Sequence, residues 1–380
     1  MRAAVVLALL GGLLAACGSD GPVREPAKLS GIDSPDFKPR ILWSRSPGSG
    51  GGRLHTGLRL AVEPDLLVTA DISGDVYALE PATGKRLWKA ATGARVISGP
   101  SVSGDLVLLG TQDAEVIALK RSDGSLVWKA KVSSEVLAPP VGSGNIVIAR
   151  CGDGKIFGLS VGGGARLWSF DRSVPPLVLR GMSAPAIDGN AVFAGLDNGR
   201  AVGLKLDSGE LLWEQVVSAA SGRSELERIV DVDADLLVAN DGVFAVSFGG
   251  ELAAVSVVDG RVAWRRPIKS YSGIALEGRR LAVTADDGVV WMLDGGTGAA
   301  SWNSEALKYR GLSAPIIVRG RVVVADQDGY VHWMAEDDGR IVARAHAVGG
   351  PVRAPMVLKN DVLYVLDTSG EIAAIDTRSE

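Results

Sequence analysis

DISGDVYALEPATGKRLWKA, residues 71–90, is the unit from which the 380-residue chain is built. Ser73-Gly74 makes a tight turn, and Val76-Tyr77-Ala78-Leu79 alternates as a strand does. Thr83-Gly84 makes a second turn, and Leu87-Trp88 opens the next strand. A small residue followed by glycine between two short apolar runs signals a hairpin, because glycine reaches the positive φ that such turns require.

The unit recurs, and a fixed period decides architecture before any single element does. First-turn glycines fall at Gly74, Gly154, Gly199, Gly250, Gly288, Gly329 and Gly370, with Ala114 in the second copy. Second-turn glycines follow ten residues later, at Gly84, Gly124, Gly164, Gly209, Gly260, Gly298 and Gly339. Four residues further stand Trp88, Trp128, Trp168, Trp213, Trp264 and Trp302; Ala343 alone breaks this column. Six of the nine tryptophans therefore share one register, which makes them repeat-packing residues and not a cofactor cage.

Two more short apolar runs separate each tryptophan from the next first-turn position, as in 100–109, 185–194 and 315–325. Each repeat is then four antiparallel strands, one blade of an all-β propeller, and the count comes to eight. The last copy stops at Glu380, short of its tryptophan-bearing strand. The missing strand lies at the other end of the chain, at Ile41-Leu42-Trp43-Ser44. Its joining of the last blade would close the ring and remove two sheet edges.

The chain divides into residues 1–16, 17–40 and 41–380. The first part has a positive Arg2 and an apolar run too short to span a bilayer, the form of a secretory signal. Leu14-Ala15-Ala16-Cys17 has the pattern of a lipobox, which predicts cleavage before Cys17 and its acylation. Gly18, where an Asp would favour retention in the inner membrane, points to the outer membrane. Residues 17–40 are polar and aperiodic and read as a tether between lipid and domain. The extra residues between Trp43 and Gly74 are Gly-rich and read as flexible. With Cys17 acylated, Cys151 has no disulfide partner and reads as a small buried residue.

A formal net charge of −4 argues against nucleic acid as a partner. The three histidines, His55, His332 and His346, have no metal-ligand spacing, and no Ser/His/Asp or Cys/His set can be assembled. The Asp-x-Asp-Gly runs lack the distal Glu of a calcium loop and fall at blade turns. The sequence thus predicts neither enzyme, metal nor cofactor.

Repeat proteins place insertions on a binding face. From tryptophan to the next first-turn position the spacing is 24 to 27 in four copies, 31 from Trp168 to Gly199 and 37 from Trp213 to Gly250. The two expanded connections are consecutive, which puts them side by side on one rim. The first carries Leu177, Leu179 and Arg180; the second carries Asp231 and Asp233. Apolar residues beside an Arg, next to acidic residues, predict a protein-docking surface.

The chain resembles the BamB family, propeller lipoproteins of the machinery that assembles β-barrels into the bacterial outer membrane. The resemblance spans the lipobox and all repeats. It is most specific in LRGMSAPA (179–186), LDNGR (196–200), ELERIVDVD (225–233) and GYVHWMAEDDGR (329–340). It implies a non-enzymatic scaffold on the periplasmic side of the outer membrane. Such a scaffold binds the POTRA region of BamA, chiefly its third domain, and helps unfolded β-barrel chains to fold and insert. It also implies that Leu177, Leu179, Arg180, Asp231 and Asp233 are contact residues. Two alternatives share the fold: a PQQ-dependent dehydrogenase, whose vicinal cysteine pair and long cofactor loops are missing here, and a propeller lipoprotein serving another envelope complex.

Overall fold

The computed structural model describes residues 24–52, 54, 56–172, 183–219 and 229–378. These form eight antiparallel sheets, numbered here as blades 1 to 8: 61–91, 96–131, 141–170, 186–216, 237–266, 273–304, 316–346, and 357–376 completed by 40–45. No helix occurs among the described residues. The first strands of most neighbouring blades touch one another around the ring, so they line the centre, and the fourth strands lie outermost.

Blade 8 is the split one. Arg40–Arg45 pairs antiparallel with Ile372–Asp376, with Ile41 opposite Ile375 and Trp43 opposite Ala374. The predicted closure is what the molecule does.

Each tryptophan of the column reaches from its fourth strand onto the second turn of the next blade. Its indole N–H donates to a carbonyl there: Trp43 to Pro81 at 3.0 Å, Trp88 to Arg121 at 2.9 Å, Trp128 to Val161 at 2.8 Å, and so on to Trp302 and Glu336 at 2.6 Å. The ring lies flat on the second-turn glycine. A Cβ added to Gly124 would come 2.7 Å from the Trp88 ring, and the φ of +75° there suits glycine in any case. The glycine and tryptophan columns are thus two halves of one contact.

The break at Ala343 follows from the split. Blade 8 has no second turn, because its third strand, Ile372–Asp376, and its fourth, Arg40–Arg45, are not consecutive in sequence. A tryptophan at 343 would have no turn to dock on. Within blade 7 the large residue has moved to the third strand. Trp333 stands opposite Ala343, where other blades set Ala78, Ala118 or Gly158 opposite a tryptophan.

Eight buried clusters make the core, each bridging two consecutive blades. Leu108, Ala118 and Trp128 of blade 2, for instance, pack on Val147, Ala149 and Phe157 of blade 3. Cys151 belongs to this layer, and burial pushes its thiol up to about 11, which leaves it unreactive.

Two segments outside the blades are more ordered than their composition suggests. The Gly-rich stretch after Trp43 is wedged between the first turns of blades 8 and 1. Gly52 N–H donates to Thr368 O at 2.8 Å, and Ile72 N–H to Gly50 O at 3.0 Å. A Cβ on Gly50 would lie 2.5 Å from Gly370 N. Gly50 and Gly370 thus permit close approach of backbones, not flexibility. Further on, Gly57–Leu58 adds a short parallel strand beside Ser98 and Gly99 of blade 2. Residues 24–39 lie against blades 6 and 7, a placement taken up below.

Candidate interaction site on the rim

The first turns and the connections from each fourth strand to the next first strand share one rim. The ends of the second long connection are pinned there by backbone bonds. Val217 and Ser218 N–H both donate to Gly199 O, Val232 N–H donates to Leu196 O, and Phe248 N–H donates to Asp231 O at 2.9 Å. Asp231 and Asp233 are therefore held against the turns of blades 4 and 5. Leu177, Leu179 and Arg180 lie outside the described residues, as does Cys17.

Asp231 is 1% exposed, so its carboxylate is not a free charge on the rim. Carboxylate oxygens of Asp197, Asp231 and Asp233 lie within 4.8 Å of one another. The buried Arg150 guanidinium pairs with Asp197 and lies close enough to Asp233 to act on its charge. Burial, with the repulsion of Asp197 added and Arg150 opposing, pushes Asp233 up to about 6. Its Oδ1 has no hydrogen-bond partner among the described residues.

Asp233 also faces the mouth of the central channel, a cavity of about 860 Å³ whose wall includes Arg59, Asp235, Tyr271 and Arg353. Asp235 ties three elements together. It pairs with Arg59 at 2.6 Å and accepts the N–H of Ala184 at 2.7 Å, where the first long connection ends. The two connections are thus joined at their inner ends through one carboxylate.

Sequence reading missed Arg150, Asp197, Arg59 and Asp235. For Arg150 a signal existed. It closes its second strand in a column otherwise made of Ala70, Gly110, Gly195, Val246, Thr284, Ala325 and Leu366, where a charge has no structural excuse. Asp197 and Asp235 sit at turns, where aspartate is common for local reasons.

The other acidic turns are occupied by their own backbone. Asp71 Oδ1 accepts the N–H of Ser73 and Asp75, and Asp367 Oδ1 those of Ser369 and Glu371. His332 is fully buried, with Nε2 on Asp326 at 2.9 Å and Nδ1 accepting from Arg344 Nε at 3.1 Å. Both its nitrogens are engaged, which leaves none for proton transfer to a substrate.

Fold and rim define a closed eight-bladed propeller whose distinctive charges gather at loop ends, the form of a binding scaffold. The sequence pattern of the family described as "Outer membrane protein assembly factor BamB" matches residues 40–114 and 72–304. A protein of that name from Alkalilimnicola ehrlichii is 46% identical over 374 residues, covering 98% of this chain and 96% of its own length. Another, from Pseudomonas aeruginosa, is 44% identical over 357 residues, 93% of each chain. The crystal structure of BamB from Moraxella catarrhalis superposes with a TM-score of 0.81 at 28% identity, over 89% of this chain and 99% of that one. The chain belongs to the BamB family, which comprises assembly factors and not enzymes. A quinohemoprotein alcohol dehydrogenase from Comamonas testosteroni, with a TM-score of 0.71 at 13% identity over 90% of this chain and 77% of that one, shares the fold alone.

Proposed function

We propose that the protein is a lipid-anchored scaffold on the periplasmic face of the outer membrane, acylated at Cys17. It binds the POTRA region of BamA and so aids the folding and insertion of β-barrel proteins. The docking surface is the rim sector formed by the two long connections, with Leu177, Leu179 and Arg180 from the first and Asp231 and Asp233 from the second. One observation carries the reading: the second connection ends in a cluster of three carboxylates beside Arg150, in which burial disfavours the charge of Asp233, and two residues further on Asp235 ties it to the end of the first connection. Perturbed groups of this kind gather where a partner is to be met. In this assignment Asp233 faces the partner from the channel mouth, and the buried Asp231 positions the connection that carries both.

The test is capture of the chain lacking residues 1–17 by the isolated POTRA region. Leu179→Ala/Arg180→Ala and Asp231→Ala/Asp233→Ala variants run alongside, with folding checked by circular dichroism. Capture of the parent and its loss in both folded variants is the expected result. A folded parent that is not captured would overturn the partner. Undiminished capture of both folded variants would move the site elsewhere.

A further inference from the structure

Residues 24–39 behave as a strap across the outer side of the ring. At one end, Ala27 N–H donates to Lys308 O at 2.9 Å, and Ala27 O accepts from Arg310 at 3.0 Å. Midway, Arg344 donates to Ser30 O at 2.9 Å. At the other end, Asp36 N–H donates to Val342 O at 2.9 Å, on the outermost strand of blade 7. Phe37 is buried there, edge-on to Trp333 with centroids 5.7 Å apart and under the Arg321 guanidinium at 4.3 Å.

The repeats provide a control. The residue just before the tryptophan position faces outward: Leu87 and Leu167 are each 52% exposed, and Leu42, Val127, Leu212, Ala263 and Ser301 are exposed as well. Val342 holds this position in blade 7 and is 0% exposed. The strap therefore covers one blade in eight. It does so through fixed contacts. Arg310 spans Asp326, Asp328 and the strap carbonyl, while Arg344 joins the strap to His332.

Direction follows from the same contacts. Lys308 and Arg310 lie in the connection from blade 6 to blade 7, on the rim that bears the candidate docking site. The strap starts at that rim and descends blade 7 to the far rim, where Arg40 enters the closing strand. Ala27 lies ten residue steps after Cys17. At full extension they span ~35 Å, against ~80 Å for a tether free as far as Arg40.

We infer that the strap fixes the orientation of the propeller on a lipid bilayer: the sector of the rim at blades 6 and 7 is the part nearest the membrane, and the rim with the long connections is on the lipid side. The inference rests on the anchor at Cys17 proposed above. It shortens the leash and selects which side of the ring faces the lipid, so a partner emerging from the same membrane meets the docking rim.

The test uses the full acylated chain in phosphatidylethanolamine/phosphatidylglycerol vesicles with an acceptor dye on the headgroups. Donor dyes are placed at Glu305→Cys, on the blade 6 to 7 connection, or at Asp113→Cys, on the same rim but four blades away. Cys151 is buried and does not compete for label. Energy transfer should be several-fold greater from position 305 than from position 113. Two changes should each reduce that ratio toward unity. One is Phe37→Ser, which loosens the strap. The other inserts twenty Gly/Ser residues after Ser19, which lengthens the leash and leaves every strap contact in place. Vesicle co-flotation with equal transfer from both positions would overturn the orientation alone. Equally, a ratio unmoved by the insertion would overturn it. Loss of co-flotation would overturn the anchor, and the orientation with it.

Discussion

Ala114 stands where the other first turns have glycine, and its backbone takes the same left-handed turn, with φ at +59°. A Cβ in that region costs about 1–2 kcal/mol. The turn is kept because the ladder on either side dictates it: Glu115 N–H donates to Thr111 Oγ1 at 3.0 Å, and Val132 N–H to Ala114 O at 2.9 Å. Ala114→Gly should therefore raise stability by about 1 kcal/mol, less the entropy glycine loses on folding. A shift of the urea midpoint to higher concentration, with unchanged slope, is the measurement. The glycine columns were legible because positive φ leaves a mark on residue choice. In blade 5 the mark is off by one: Gly249 takes the positive φ and its neighbour Gly250 does not. Adjacent glycines do not reveal which of them turns. The rim cluster was legible only in part. Asp231 and Asp233 stand out through the length of their connection, but the partners that set their charge come from distant turns. No local pattern brings Arg150 and Asp197 together.

At the scale of the strand, the column break at Ala343 and the orphan strand at Trp43 are one fact, since a blade assembled from both chain ends lacks the turn on which its neighbour's tryptophan would rest. The sequence showed both halves. The compensation, with Trp333 opposite Ala343 and Phe37 against it, was hidden, because it depends on a segment whose polar composition suggests a free tether. Leu29 and Phe37 were its apolar warnings. Composition misled in the same way at Gly50, where glycine serves packing. The closing strand allows a direct prediction. A chain starting at residue 39 keeps the strand Arg40–Arg45, and one starting at residue 46 loses it, along with the bond from Trp43 to Pro81 and the cover on Ile372–Asp376. Loss of the buried tryptophan alone is worth about 3–5 kcal/mol, and the bared edge invites pairing with a second chain. The longer chain should unfold cooperatively as a monomer. The shorter should melt at lower temperature and sediment as larger species.

Across the whole ring, two titratable groups, one within blade 7 and one in the connection from blade 4 to blade 5, oppose each other in their dependence on pH. His332 in blade 7 is pushed below the usual histidine value, chiefly by burial, with Asp326 opposing. Its contribution to stability is present above about 6.5 and is lost as pH falls below that, where the unfolded chain takes up the proton first. Asp233 runs the other way. Its pKa rises from 3.8 to about 6 on folding, so its contribution is present below about 4 and is lost as pH rises through 6. At neutral pH the protein thus carries a charge that folding alone would remove. Asp233→Asn should stabilise the ring by on the order of 1–3 kcal/mol at pH 7.5 and by little at pH 3.5. Urea midpoints of parent and variant at the two pH values decide it, and a gap that does not widen between them would mean that Asp233 titrates as an ordinary carboxylate. The same variant should be captured less well by the POTRA region. Stability and docking would then move in opposite directions, as expected of a charge kept for a partner and not for the fold.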